Sequence, residues 1–117
     1  MDKILSRFIY DKHIDSVQKL FFLLYLYQHP NAKKTGPEFG RQFYLGFTPQ
    51  MDKMLLDLQT VRLIDRVDNR YVLRNEPRIQ VCLQLLAEAF ENPLIRQQIL
   101  YKIKQRSSLS PNNLIPH

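Results

Sequence analysis

Arginine recurs at every fourth residue through one stretch of the chain, at Arg62, Arg66, Arg70, Arg74 and Arg78. A guanidinium is permanently charged and presents its donors in a fixed fork, so such a series can grip phosphate or carboxylate oxygens. Asp65, Asp68 and Glu76 are interleaved with it, and pairing with them is the competing use of the same cations. A second set lies upstream: Lys33, Lys34 and Arg41, then Thr48, Gln50 and Lys53 in "TPQMDK". Glutamine and lysine at the start of a helix can reach base edges or phosphates. Both sets suit contact with a polyanion, and neither offers a nucleophile beside a base. His13, His29 and His117 are scattered, without metal-ligand spacing or a nearby cysteine pair. Three glycines form no phosphate-cradling loop, and Glu88 and Glu91 fit a solvated helix face. Neither an enzyme nor a cofactor is expected.

The charge balance points the same way. Seventeen lysines and arginines against eleven acidic residues give a net charge of +6. That excess favours nucleic acid over an acidic protein or a membrane surface, ordinary solubility charge being the bland alternative. With 117 residues, 44% of them hydrophobic, the chain suits one modest core. The single cysteine, Cys82, excludes an intramolecular disulfide and fits a reducing compartment. Its apolar setting in "IQVCLQLLAEAF" predicts a buried thiol rather than a nucleophile. The run "LFFLLYLY" is too short to span a bilayer and no signal-peptide pattern is visible, so no membrane partner and a cytoplasmic location are expected.

These side chains need elements to position them. "MDKILSRFIYDK" predicts a short amphipathic helix with Ile4, Leu5, Phe8 and Ile9 on one face. Asp15 or Ser16 caps a second helix running to about Gln28, stopped by His29-Pro30. Thr35 or Gly36 precedes Pro37 at the start of a short helix, "PEFGRQFYL", ending at Gly46. Thr48 caps the next helix over 49–62, with Met51, Leu55 and Leu58 inward. Met54 and Leu56 fall on its outer side, where Asp52 and Asp57 also lie. "LIDRV" and "RYVLR" read as strands joined at an Asp-Asn turn. Pro77 restarts a helix to about Glu91, Asn92-Pro93 breaks it, and a last helix runs to about Arg106. Residues 107–117 are expected to be a flexible tail.

The ordered set in "TGPEFGRQFYLGFTPQMDKMLLDLQTVRLIDRVDNRYVLR" resembles the winged helix-turn-helix superfamily, over residues 15–75. The resemblance implies a mainly α (α+β) fold with a two-stranded wing at 63–74. Residues 1–14 would add an N-terminal helix, and 76–106 would add C-terminal helices. It further implies that the helix over 49–62 enters the major groove of duplex DNA, with Thr48, Gln50 and Lys53 near base edges. Arg66 and Arg70 on the wing would contact phosphate or the minor groove, and Lys33, Lys34 and Arg41 the backbone near the short helix. Two departures stand out: Arg62 where a glycine often precedes the wing, and the carboxylates Asp52 and Asp57 on the recognition helix.

The stretch 79–90 is apolar almost all round, broken only by Gln80, Gln84 and Glu88, and Ile95, Ile99 and Ile103 form a further stripe. A twofold homodimer through these helices is expected, with folding back inside the chain as the alternative. The expected function is sequence-specific duplex-DNA binding by a small dimeric transcriptional regulator. Two alternatives remain: a protein-interaction module, favoured by Asp52, Asp57, Met54 and Leu56, and a replication or plasmid-type initiator.

Overall fold

The computed structural model describes residues 2–43 and 49–108. Over these the chain forms α1 (Lys3–Asp11), α2 (Val17–Gln28), α3 (Gly36–Gln42) and α4 (Pro49–Thr60). A hairpin of β1 (Ile64–Val67) and β2 (Arg70–Leu73) follows, then α5 (Pro77–Phe90) and α6 (Pro93–Ser108). The architecture is mainly helical with one two-stranded antiparallel sheet.

α2 organises the rest. The Ser16 hydroxyl caps it, accepting from the Lys19 backbone N–H at 3.1 Å. Leu20, Phe22, Leu23, Leu24 and Leu26 are all buried. A helix apolar over so wide an arc needs cover on several sides, and α5, α6 and β2 supply much of it. α3 covers another side through rings: Phe39 and Phe43 lie 4.9 and 5.7 Å from Phe22, centroid to centroid. Buried side chains from Leu5 of α1 to Ile103 of α6 join one cluster.

α1 begins at Asp2, whose Oδ1 accepts from the Ile4 N–H at 2.7 Å. Leu5, Phe8 and Ile9 are buried, whereas Ile4, expected on the same face, is 59% exposed. One residue before Leu5 is a rotation of about 100°, which carries Ile4 off the inward stripe.

α1 and α4 end in the same way. His13 and Arg62 are left-handed, with φ of 53° and 63°. The His13 and Ile14 N–H groups donate to Tyr10 and Ile9 carbonyls at 3.1 and 3.0 Å. Arg62 and Leu63 repeat this on Gln59 and Leu58, both at 3.0 Å. Each end is a Schellman motif, sealed by a buried pair, Ile9 with Ile14 and Leu58 with Leu63. Arg62 therefore occupies a position whose conformation suits glycine. Because Val61 and Arg62 form this turn, α4 stops at Thr60 rather than at the expected 62.

α3 starts with a capping box: the Thr35 hydroxyl accepts from the Glu38 N–H and Glu38 Oε1 accepts from the Thr35 N–H. It ends at Gln42, earlier than expected, with Phe43 as its cap and the Phe43 ring against Tyr25 at 5.2 Å. The proposed turn at Gly46 lies outside the described residues. In the hairpin, Asp68 and Asn69 take φ of 51° and 65°, the signature of a type I′ turn. β2 is also paired on its far edge, where the Tyr71 N–H donates to the Lys34 carbonyl at 2.8 Å.

The broad apolar arc of α5 is covered in part within the chain, Val81 remaining 56% exposed. Ile79, Leu83 and Leu86 are buried, and the helix packs on α1, α2 and α6. Asn92 Oδ1 caps α6, accepting from the Leu94 and Ile95 N–H groups at 3.0 and 3.3 Å. Ile99 and Ile103, two of the expected dimer stripe, are fully buried in their own core. Near the end of α6, Arg106 Nη1 donates to the Ile9 and Tyr10 carbonyls of α1 at 2.8 and 3.2 Å. Among the described residues no helix is long and apolar enough to cross a membrane.

The left-handed backbone at Arg62 leads to a stability test. Arg62→Gly relieves the Cβ clash there, offset in part by the greater freedom of glycine in the unfolded chain. It should stabilise the fold by about 0.5–1 kcal/mol, read as a raised denaturation midpoint. A lowered midpoint would contradict the C-terminal assignment of α4.

Candidate nucleic-acid interface

The hairpin and α3, with the segment before it, bring Lys33, Arg41 and Arg70 to one edge, and Arg66 stands on the other face of the hairpin. In the register, Arg66 faces Tyr71 and Arg70 faces Val67, so the two arginines leave opposite faces of the ribbon. Arg66 lies over the Tyr71 ring, 5.8 Å from its centroid, and donates to Asn69 Oδ1 at the turn. Arg70 crosses to the neighbouring segment, where Nη1 donates to the Lys33 carbonyl at 2.8 Å and stands 3.6 Å from Glu38 Oε1. Lys33 and Arg41 are exposed beside this contact. Lys34 is turned inward: its ammonium donates to Gln42 Oε1 and lies 5.9 Å from the Tyr25 ring centroid. Its head group therefore braces α3, a use different from the expected backbone contact.

Glu38 sits at the electrostatic centre of this edge. The Thr35 backbone N–H holds its carboxyl below the ordinary range, helped by the Thr35 hydroxyl and then by Arg70 and Arg41. Arg74 plays no part in the edge; it pairs with Asp65 at 3.6 Å and Glu76 at 3.1 Å. The arginine series thus divides, with Arg74 using its charge internally and Arg66 and Arg70 remaining at the surface.

α4 presents a different picture from the expected one. Gln50 and Lys53 are exposed, and Thr48 lies outside the described residues. Met54 is only 7% exposed, because it shares the inward arc with Met51 and Leu58, while Leu56 is 61% exposed. Asp57 faces Lys19 of α2, Oδ2 to Nζ 3.2 Å. Lys19 is itself buried, with Asp15 Oδ1 at 2.9 Å and the His13 carbonyl at 3.3 Å. Three acceptors thus meet the three protons of one ammonium. Of the two carboxylates expected on the outer face, only Asp52 stays there. Gln50, Lys53, Met54 and Asp57 line a groove of about 510 Å³ against Asp15 and Ser16 at the start of α2.

Lys19 was not among the expected site residues, although the Asp15–Lys19 spacing of four was visible. Its partner Asp57 comes from a distant helix, and no local pattern indicates that contact. Burial pushes the Cys82 thiol up, with Arg78 and Lys12 pulling weakly the other way. Among the described residues no cluster of three or more His, Cys, Asp or Glu side chains is placed to hold a metal ion. No protein-family model, curated protein or solved structure matches the chain.

Two measurements probe these sites. Asp57→Ala leaves a buried ammonium short of one acceptor and should cost about 1–3 kcal/mol. Lys19→Met, which removes the buried charge and leaves two half-exposed carboxylates in water, should cost less; the reverse order in denaturant melts would argue against the triad. The depressed carboxyl of Glu38 adds stability above the ordinary carboxylate pKa, and that contribution is lost as pH falls toward the lowered value. Glu38→Gln should therefore show a smaller acid-induced drop in melting temperature than the unaltered chain.

Proposed function

We propose that the chain binds duplex DNA, with phosphate contacts from the hairpin edge and base contacts from the first turns of α4. The observation that carries this is the gathering of exposed Lys33, Arg41 and Arg70 along the hairpin and the adjoining side of α3, with exposed Arg66 on the other face of the hairpin. Their cationic heads suit a regularly charged backbone. The Arg70 contact with the Lys33 carbonyl holds one guanidinium in place before any ligand arrives. The winged helix-turn-helix reading belongs to the same proposal. It rests on the order α2, a capped α3, α4 and a type I′ hairpin, with the described helices flanking it on both sides.

Engagement of Asp57 by Lys19 weakens the main objection to α4 as a reading helix. Asp52 still has to face a base amino group or be avoided by phosphate. Gln50 and Lys53 remain the base-reading pair, and transcriptional regulation is the role such binding would serve. Because Ile99 and Ile103 face their own core, they supply no argument for a twofold dimer. We therefore propose that one copy contacts DNA alone. A second reading, a protein-interaction module, is favoured by one observation, the 61% exposure of Leu56 on the outer side of α4.

Mobility-shift titrations across a salt series decide between them. Duplex affinity should fall steeply with salt, and Arg66→Ala or Arg70→Ala should each weaken all sequences alike and flatten the log–log salt slope by about 1. Absence of any salt-dependent duplex binding would remove the DNA reading and leave the interaction module. Sedimentation at high micromolar concentration should give a species of 14.0 kDa. A concentration-dependent species of twice that mass would restore the dimer.

A further inference from the structure

On the Arg70 face of the hairpin lies a groove of about 600 Å³, with Lys33 and Arg70 at its rim. Its volume falls within the roughly 300–1,000 Å³ of small-ligand sites. One wall is the hairpin face on which the register places Val67, Arg70 and Val72 together. The opposite wall is Tyr27 near the end of α2 and Pro30 just beyond it, and the far end is Asn75 and Gln80 where α5 begins.

Polarity is graded along this groove. Lys33 and Arg70 stand at the end near the hairpin turn, with Asp68 the one acid in the lining. Both contacts of the Arg70 guanidinium described above fall on Nη1, so Nε and Nη2 remain for a further acceptor. Apolar and aromatic surface comes from Val67, 55% exposed and level with Arg70 in the register, and from Val72, Tyr27 and Pro30. The far end carries two neutral amides, each able to donate and accept. Cation, aromatic surface and amide in one groove match phosphate, base face and base edge of an unstacked nucleotide. A paired base in a duplex cannot enter, since both its faces are stacked.

We propose that this groove binds the unpaired end of a nucleic-acid strand, next to the duplex held by the hairpin edge. The proposal rests on the duplex-DNA reading and narrows it to duplex that adjoins single strand. Lys33 and Arg70 serve both surfaces, because they stand at the rim between them. The strand's phosphate is drawn to them while its base stacks against Tyr27.

Anisotropy titrations with the full chain and three DNAs of one duplex sequence test this. The DNAs are a closed dumbbell without ends, a blunt duplex and a duplex with a short single-stranded overhang. The overhang should bind about tenfold more tightly than the dumbbell, the gain expected from stacking one base on an aromatic ring. Tyr27→Leu keeps an apolar side chain against the core and should abolish that preference while leaving dumbbell affinity unchanged. Val67→Ser, at an exposed position, provides the same test if Tyr27→Leu fails to fold. Equal binding of all three DNAs, or a preference that survives in a folded variant, overturns the groove assignment but leaves the duplex reading intact. Failure to bind any of the three overturns both. Saturation of the groove by deoxyadenosine monophosphate without an overhang preference also overturns it, since the ligand would then be a free nucleotide.

Discussion

A twelve-residue helix that is apolar on almost every side cannot sit at a surface, and α2 imposes that constraint on everything around it. The helices and hairpin strand of the described chain are arranged largely as its covers. α3 covers it with rings, α5 and α6 with branched aliphatic side chains, and β2 with the inward face of the hairpin. The edge that gathers Lys33, Arg41 and Arg70 is a by-product of this arrangement. The hairpin must lie against α2, and the segment before α3 must run beside it to pair with Tyr71.

Among the described residues, Lys19 is the one charged group this burial encloses. An ammonium in such a place needs its full set of acceptors, and α4 supplies one from Asp57. The demand of a buried cation thus fixes which side of α4 turns toward α2. That choice in turn leaves Lys53 and Leu56 outward. Electrostatics inside the core and the chemistry offered outside are therefore set by the same contact.

Much of the fold was legible because it depends on local signals. The Ser16 cap, the Thr35–Glu38 box, the Asp-Asn turn and the Asn92-Pro93 break each lie within a few residues of what they determine. The inward set Met51, Leu55 and Leu58 followed from helical spacing. What stayed hidden depends on distant partners. Met54 is covered and Asp57 paired because α2 stands beside α4, and the inward stripe of α5 packs on α1, α2 and α6. Apolar breadth shows that a face must be covered but not by which chain, so the sequence alone could not tell that Ile99 and Ile103 turn into their own core. At the candidate site, the residue types were evident in the sequence, while the inward turn of Lys34 and the Arg70–Glu38 contact required the packed structure.

Arg106 reaches across the whole chain to the Ile9 and Tyr10 carbonyls, and Lys102 does the same to the Ser6 hydroxyl. These links join the beginning of the described chain to its last helix, so the loop they close is almost the full length of the fold. On a growing chain, α1 emerges well before α6 yet cannot complete its packing until α6 has been made. A helix made early is thus secured late. Contacts of such long range slow a fold whose helices would otherwise favour rapid assembly.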